Sequence, residues 1–171
     1  MVRSLLAGAL SLWLAGCALE PQRTALPELA KVPASFEMSG RISIRQADRS
    51  DIAKLRWSRR SGEDTWVIAS PLGNEIARIE STPAGATLAG SSADSAPSFE
   101  ALTERVLGVA LEPDQLAAWL HGQIPGSIPG GWKVVVDETQ AAGAVTLARR
   151  LTATRGDTVL RLVVDEYRVL D

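Results

Sequence analysis

Only one cysteine and one histidine, Cys17 and His121, are available for nucleophilic or metal chemistry in this sequence. A zinc site needs three or four protein ligands, most often His and Cys, so these two side chains cannot build one. The lone cysteine also has no partner for an intrachain disulfide. The chemistry open to Cys17 is therefore modification of its own thiol, and the residues before it indicate which modification.

An export signal precedes Cys17. The chain starts with a positive charge at Arg3 and continues with a largely apolar run over residues 5–14 and two small residues. This run is shorter than the about 20 apolar residues that span a bilayer, so residues 1–16 have the pattern of a cleaved signal peptide. The segment Leu14-Ala15-Gly16-Cys17 resembles the bacterial lipobox. The resemblance implies diacylglycerol on the Cys17 sulfur, cleavage before Cys17 and acylation of the new amine; an ordinary signal peptide with a chance cysteine is the alternative.

Residues 17–34 are predicted to be a lipidated N-terminus and a tether. They contain Pro21, Pro27 and Pro33 and show little hydrophobic periodicity, which is typical of a linker. Two or more acyl chains give stable membrane attachment, whereas one gives only marginal binding. Ala18 stands where many inner-membrane lipoproteins of Gram-negative bacteria have Asp, so the resemblance favours the periplasmic face of the outer membrane.

The composition indicates a single acidic domain over residues 35–171. The chain has 18 Lys and Arg against 20 Asp and Glu, and loss of Arg3 with the signal peptide takes the net charge from −2 to −3. Such a chain lacks the basic patch that nucleic-acid binding requires. Hydrophobic residues make up 46% of the chain, yet no stretch after Cys17 approaches transmembrane length. The apolar side chains must therefore fill a core or line a cavity.

Alternating apolar and polar residues predict a series of antiparallel strands joined by short turns. The alternation is clearest over Ser35–Arg45, where Gly40 on the apolar face allows a bend or a bulge. The predicted strands cover residues 35–45, 53–58, 65–70, 75–80, 86–89, 132–136, 145–147, 151–154, 159–164 and 167–170, with a loop over residues 123–131.

Two short amphipathic helices are predicted between the strands. Ser98 suits the N-cap of the first helix and Gly108 its C-cap, and a second helix fits Pro113–His121 because proline suits the first helical position. Their apolar stripes are Phe99, Leu102, Val106 and Leu107, then Leu116, Trp119 and Leu120. Strands, two helices and further strands predict a mostly β fold of the α+β class, with one curved antiparallel sheet and helices over one face.

The remaining polar residues form no catalytic pattern. His121 falls in the last turn of the second helix, where a positive charge would favour the helix dipole, so we interpret it as structural. Asp165-Glu166 and Glu63-Asp64 are adjacent carboxylates, which we interpret as solvated. Residues 126–130 lack the spacing of a nucleophile elbow, and no nucleotide-binding fingerprint is present. The sequence therefore does not predict an enzyme.

Several motifs together resemble the LolB family of outer-membrane lipoprotein receptors. Each is short, but they follow the family's order and spacing between Phe36 and Leu170, behind a lipobox. The motifs are Gly40-Arg41-Ile42, Trp57, Ser70-Pro71-Leu72-Gly73, Gly108, Trp119-Leu120-His121-Gly122 and Gly131-Trp132-Lys133-Val134. The segment between Trp119 and Trp132 is shorter than in the family pattern.

The resemblance implies both a fold and a task. The fold is an unclosed antiparallel β-barrel with a short helical lid over a hydrophobic cavity. The task is to accept client lipoproteins from the periplasmic carrier LolA, to hold their acyl chains in the cavity, and to insert them into outer-membrane lipid. The resemblance implies that this task uses no nucleotide, metal or other cofactor. We expect the protein to be a monomer, and its composition argues against a nucleic-acid partner.

The resemblance also assigns residues to these steps. Pro71, Leu72 and Gly73 are expected to form a protruding loop whose leucine delivers lipoproteins to the membrane; a leucine folded back onto the core is the alternative. A second group is expected to line the acyl-chain cavity and the lid, with ordinary core packing as the alternative. Its members are Phe36, Met38, Ile42, Ile44, Leu55, Trp57, Trp66, Ile68, Leu102, Val106, Trp119 and Leu120.

Two other functions compete with the receptor hypothesis. One is an accessory or structural outer-membrane lipoprotein that binds a protein partner or the cell wall, which predicts a filled core and no acyl-chain binding. The other is an enzyme that acts on lipid or cell wall, which predicts a buried polar cluster in a cleft. We find no residues in the sequence that would supply such a cluster.

Overall fold

Nine antiparallel strands form one sheet in the computed structural model, which describes residues 32–90 and 93–170. In chain order they are β1 (Ser35–Gln46), β2 (Arg49–Arg60), β3 (Glu63–Ala69), β4 (Glu75–Thr82), β5 (Gly85–Gly90), β6 (Asp94–Ala96), β7 (Lys133–Ala142), β8 (Val145–Arg155) and β9 (Thr158–Val169). Across the sheet the order is β6-β5-β4-β3-β2-β1-β9-β8-β7. No ladder joins β6 to β7 in this part of the chain, so the sheet is unclosed, which confirms the predicted mostly β fold.

The predicted strands are present, but four of them are halves of two longer strands. The predicted segments 145–147 and 151–154 belong to β8, and the segments 159–164 and 167–170 belong to β9. In both cases the strand register shifts at a bulge, which breaks the alternation of buried and exposed residues without ending the strand. The sequence pattern also missed β6, which has three residues, and a 3₁₀ turn at Pro129–Gly131 inside the predicted loop.

The two helices lie where the capping residues predicted them. Helix α1 (Phe99–Leu107) begins after Ser98, whose hydroxyl accepts a hydrogen bond from the Ala101 N–H at 3.1 Å, and it ends at Gly108 in the left-handed conformation. Helix α2 (Pro113–Leu120) starts with its proline, and His121 is its C-cap residue. None of the helices in the described ranges is long and apolar enough to cross a membrane.

The helices cover the inner face of the sheet, which is the face whose side chains are buried. Helix α1 contacts β5 and β6, and α2 contacts β8. The inward side chains of the strands and the apolar stripes of the helices form one continuous core cluster. The opposite, outer face is largely polar and charged, as the alternation of the strands requires.

Gly40 marks the bulge between β1 and β9. The register of this strand pair shifts between Ser39 and Gly40, so that Asp165 is an extra residue in β9. A Cβ atom on Gly40 would lie 2.0 Å from the backbone oxygen of Val163. The bend that the sequence allowed at Gly40 is therefore a place where only glycine fits.

We expect Gly40→Ala to lower the free energy of unfolding by about 3 kcal/mol, because backbone has to move to admit the methyl group. The matched control is Gly126→Ala, since a Cβ on Gly126 meets no atom within 4 Å. That change should stay within about 0.5 kcal/mol of the parent. Urea unfolding of both variants measures the difference, and equal stabilities would contradict the packing argument.

Candidate functional site

The structure brings the twelve residues predicted to line the cavity and lid onto one apolar cluster between the sheet and the helices. Ten of them are buried, whereas Ile68 and Val106 are partly buried and pack against the others. The buried members are Phe36, Met38, Ile42, Ile44, Leu55, Trp57, Trp66, Leu102, Trp119 and Leu120. Their role in holding acyl chains stays a prediction, because the same positions would form an ordinary core.

Aromatic rings run across the middle of this cluster from the sheet to the first helix. Phe36 of β1 lies 5.0 Å from Trp57 of β2, and Trp57 lies 5.4 Å from Trp66 of β3, measured between ring centroids. Trp66 in turn contacts Phe99 of α1 at 4.8 Å. The row therefore joins three neighbouring strands to the helix that covers them.

The two tryptophans of this row differ in their hydrogen bonding. The Trp57 indole N–H donates to the Asp64 carboxylate at 2.6 Å. The indole nitrogen of Trp66 is equally buried but has no hydrogen-bond partner among the described residues. Leaving a buried donor unpaired costs about 1–3 kcal/mol, so the core contains one polar group that the folded chain itself does not satisfy.

A buried ion pair lies beside the aromatic row and also reaches the second helix. Arg59 points inward from β2 and binds both carboxylate oxygens of Asp64, at 2.9 and 2.8 Å. The same guanidinium contacts Asp114 of α2 at 2.8 Å. Arg59 and Asp64 are buried, while Asp114 is exposed. The ion pair thus links the sheet to the first turn of α2.

The protonation of this cluster follows from its contacts. Burial by itself lowers the pKa of the Arg59 guanidinium, but the hydrogen bonds and charge of Asp64, followed by those of Asp114, outweigh it and raise the pKa above its ordinary value. Arg59 therefore stays charged, and its carboxylate partners neutralise it. Because every member is paired, the cluster offers no free group for acid–base chemistry.

The sequence interpretation of Glu63-Asp64 as a solvated pair is wrong for Asp64. This residue faces Arg59 across the β2–β3 ladder, at a position that points inward like the buried Trp66. From the sequence, this pair could have been found only by noting that Arg59 and Asp64 both occupy inward positions in the alternation of their strands. The second pair, Asp165-Glu166, is exposed as expected, with Asp165 bonded to Arg41 at 3.1 Å.

His121 is buried and its pKa is lowered, which favours the neutral ring and corrects the idea that its positive charge favours the helix dipole. The ring Nδ1–H donates to the Ala117 carbonyl at 2.7 Å, and Nε2 accepts from the Tyr167 hydroxyl at 2.8 Å. Burial is the largest effect and lowers the pKa of His121; the bond to Ala117 opposes it and the charge of Arg59 adds to it. Burial raises the pKa of Tyr167, which keeps its hydroxyl a donor. This pair fixes the end of α2 to β9.

We expect the protein to lose stability as the pH falls below about 6.5, the ordinary pKa of histidine. In that range the unfolded chain takes up a proton at His121 that the folded protein resists, so acid favours unfolding until the folded pKa is reached. His121 is the only histidine, so its ring protons give isolated NMR signals. Their titration midpoint should lie below 6.5, and a midpoint at or above that value would contradict the assignment.

Leu72 is at the tip of the loop between β3 and β4 and is 89% exposed. The loop is closed by the Ser70 N–H bonded to the Asn74 oxygen and the Gly73 N–H bonded to the Ser70 oxygen, both at 2.8 Å. Gly73 has a φ of 96°, which favours glycine. The alternative of a leucine folded back onto the core is therefore wrong, whereas the delivery role of Pro71, Leu72 and Gly73 stays a prediction.

The described residues contain no group of three or more His, Cys, Asp or Glu side chains that could hold a metal ion. The predicted signal peptide, the predicted lipidation site Cys17 and most of the predicted tether lie outside the described ranges. What the structure defines is an open-barrel protein, in which an unclosed antiparallel sheet carries an apolar inner face covered by two short helices.

Comparison with known proteins narrows this class to one family. Residues 34–167 match the family model described as "Outer membrane lipoprotein LolB", and the chain belongs to the LolB family. A curated relative named "Outer-membrane lipoprotein LolB" from Azoarcus sp. is 31% identical over 96% of this chain and 92% of its own length. Relatives of the same name from Chromobacterium violaceum and Alkalilimnicola ehrlichii are 36% identical over 71% and 28% identical over 96% of this chain, which is 69% and 96% of their own lengths.

Proposed function

We propose that this protein is an outer-membrane lipoprotein receptor. In this proposal it is anchored through acylated Cys17, accepts client lipoproteins from the periplasmic carrier LolA, holds their acyl chains between the sheet and the helices, and releases them into the outer membrane. The names of the relatives support the location and the lipoprotein class. The observation that carries the proposal is the continuous apolar surface shared by the inner face of the sheet and the two helices.

The helices are attached in a way that supports a movable lid. The connection between them is internally bonded, since the Thr103 hydroxyl accepts from the Leu111 N–H at 3.0 Å. Polar links from the helical segment to the sheet include Gln46 to the Gly108 oxygen at 2.7 Å and Arg59 to Asp114 at 2.8 Å. Contacts that involve an exposed partner contribute about 1 kcal/mol or less. Displacing the helices therefore costs mainly the exposure of apolar surface, together with the hydrogen bond between the buried His121 at the end of α2 and Tyr167 of β9.

Bound acyl chains would offset the cost of displacing the helices from the sheet. Each methylene group that leaves water contributes about 0.8 kcal/mol, so about a dozen methylenes contribute roughly 10 kcal/mol when they replace the helices on the inner face. Apolar contacts are not directional, so chains of different length fit the same surface. Release into a bilayer then exchanges one apolar environment for another and needs no nucleotide, metal or catalytic residue.

One observation favours the competing hypothesis of an accessory lipoprotein that binds a protein partner or the cell wall. The side chains between the sheet and the helices are packed against one another, with Phe36, Leu102 and Leu120 completely buried. A filled core is what that hypothesis predicts. The receptor hypothesis accommodates it only if acyl chains displace the helices, so binding itself has to be measured.

The deciding experiment uses the chain with Cys17→Ala, which removes its own lipid. LolA is loaded with a labelled lipoprotein, the variant is added, and the two proteins are separated by affinity purification. We expect the label to move to the variant and the tryptophan fluorescence to change, because four tryptophans lie in the covered core. The matched control is the same client with its acylated cysteine replaced by alanine, which should not transfer.

Failure of transfer from LolA, with the variant folded and a known receptor active in parallel, would overturn the receptor proposal and favour the accessory function. Transfer of the unacylated control would show that the domain recognises the protein part of the client. That result would also overturn acyl-chain binding as the basis of acceptance.

A further inference from the structure

Three large hydrophobic side chains are exposed at the same end of the sheet. Leu72 is accompanied by Ile52, which is 63% exposed, and by Ile76, which is 48% exposed. Ile52 lies in β2 two residues before Lys54, and Lys54 pairs with Ala69 at the end of β3. Ile76 follows Glu75, which also pairs with Ala69. The strand ladder therefore places both isoleucines beside the loop that carries Leu72.

Two positive charges without ion-pair partners adjoin this apolar end. Lys54 and Arg56 line an outer-face cleft of about 290 Å³ together with Gly73 of the loop and Glu75. Glu75 is bonded to Arg78 at 3.0 Å, and neither Lys54 nor Arg56 has an ion pair within the described ranges. Five other outward arginines, in contrast, are each paired with a carboxylate: Arg41 with Asp165, Arg60 and Arg168 with Glu37, and Arg149 and Arg150 with Glu138.

We propose that this end of the protein is a docking surface for anionic bilayer lipid. Lys54 and Arg56 bind the headgroup phosphate of an anionic phospholipid in the cleft, while Ile52, Leu72 and Ile76 enter the apolar layer beneath it. The inference deepens the proposed function, on which it rests, because it assigns the membrane step to a surface rather than to one loop. Its basis is charge complementarity beside exposed apolar side chains.

The basic half and the apolar half of this surface together fit a membrane better than they fit a soluble ligand. Exposed apolar side chains gain by entering the interface between headgroups and acyl chains. Each Lys or Arg close to an anionic membrane strengthens binding about fivefold, and salt screens the effect within a Debye length. A free phosphate group would use the two cations but leave the three apolar side chains in water. The occupant that satisfies all five residues is a bilayer surface.

The test compares vesicle binding of the Cys17→Ala chain with that of the same chain carrying Lys54→Gln and Arg56→Gln. Vesicles are either pure phosphatidylcholine or a mixture with phosphatidylglycerol, and bound protein is measured by co-sedimentation at low salt. We expect the starting chain to prefer the anionic vesicles and the variant to bind them about 25-fold more weakly. Both side chains are exposed, so folding should be unaffected; circular dichroism checks this.

The matched control also removes two positive charges, but at the opposite end of the sheet, through Arg60→Gln and Arg168→Gln. These residues pair with Glu37 near the β2–β3 turn and the end of β9. The control should bind anionic vesicles within about twofold of the starting chain. An equal loss in the control would overturn the proposal, because it would show that only net charge matters. Binding to both vesicle types that is unchanged by Lys54→Gln and Arg56→Gln would overturn it as well.

A second variant tests the apolar half. Ile52→Ser with Ile76→Ser should weaken binding to phosphatidylcholine vesicles as well, by about tenfold or more, because the loss of apolar side chains does not depend on lipid charge. Inorganic phosphate at equal ionic strength should not compete better than chloride; selective competition would favour a soluble anion and overturn the bilayer assignment. Acceptance of a lipoprotein from LolA is measured in a separate assay. Loss of vesicle docking with normal acceptance would therefore contradict only the docking surface, whereas loss of acceptance would contradict the receptor proposal.

Discussion

Replacing Arg59 with methionine is expected to lower the free energy of unfolding by about 3–5 kcal/mol. Arg59 donates to both oxygens of Asp64, and both side chains are buried. Without the guanidinium, the Trp57 N–H is the one hydrogen-bond donor that the described residues still offer to the Asp64 carboxylate. Removing the counter-charge of a buried carboxylate costs far more stability than the intact pair contributes, because the desolvation of the carboxylate is no longer offset. The loss should appear in urea unfolding as a lower midpoint with an unchanged slope.

The matched control is Asp114→Asn, which removes the other partner of the same guanidinium. Asp114 is exposed, so this change should cost about 1 kcal/mol or less. The double variant Arg59→Met with Asp64→Leu should recover part of the stability lost by Arg59→Met, because no unpaired charge remains. Recovery should be incomplete, since the Trp57 N–H then lacks its acceptor. A double variant that is less stable than Arg59→Met alone would contradict this account.

The Asp114→Asn variant also tests whether the helices act as a movable lid. If the link between Arg59 and Asp114 holds α2 on the sheet, Asp114→Asn should accelerate acceptance of acyl chains by up to about fivefold, which corresponds to about 1 kcal/mol. In Asp114→Asn the rate of acceptance should therefore change with little change in stability, because the buried pair of Arg59 with Asp64 is intact. Stopped-flow tryptophan fluorescence during transfer would measure the rate, and a slower rate than that of the parent would contradict a holding role for this contact.

Strand and helix positions were predictable because alternation and capping are local properties. Ser98 and Gly108 bracket α1 as their side-chain chemistry requires, and the alternation in β1 identifies its buried face. Prediction from the sequence failed where tertiary contacts determine the local structure. The bulge at Gly40 depends on β9, more than 120 residues away along the chain, and the full length of β8 is hidden by the exposed Arg149 and Arg150 between buried neighbours.

The candidate site was predictable in its apolar part and not in its polar part. Apolar residues at inward positions are buried whatever they contact, so their location followed from periodicity alone. The pairing of Arg59 with Asp64 and the unpaired N–H of Trp66 depend on side-chain geometry across strands. The exposure of Leu72 likewise depends on the hydrogen bonds that close its loop, which no sequence pattern specifies.

The inner face of the sheet and the loop at its end are suited to two separable steps. The inner face and the helices form the apolar cluster to which we assign acceptance of acyl chains. Leu72 projects from the end of the sheet and contributes nothing to that cluster. Under the receptor proposal, variants at the tip of the loop should therefore affect delivery to the membrane and leave acceptance intact, which makes the steps experimentally distinct.

Leu72→Glu should block delivery while leaving acceptance from LolA unchanged. Entry of a leucine side chain into the apolar layer contributes about 1.5–3 kcal/mol, so its loss alone weakens the membrane-inserted state by roughly tenfold to more than a hundredfold. A glutamate adds repulsion from anionic lipid. The fold should be unaffected, because the loop is closed by backbone atoms and the Ser70 hydroxyl rather than by the leucine side chain.

The measurement follows a labelled lipoprotein from LolA to the Cys17→Ala chain and then into liposomes, which are recovered by flotation. We expect Leu72→Glu to accumulate the label on the protein, whereas Leu72→Met should deliver normally because it keeps the apolar volume. Ala84→Glu places the same charge in an exposed turn between β4 and β5, at the opposite end of the sheet, and should also deliver normally. Equal delivery by Leu72→Glu and Ala84→Glu would exclude the loop as the delivery element. A loss of acceptance in Leu72→Glu alone would instead place the loop in docking to the carrier, because only contact with LolA precedes that step.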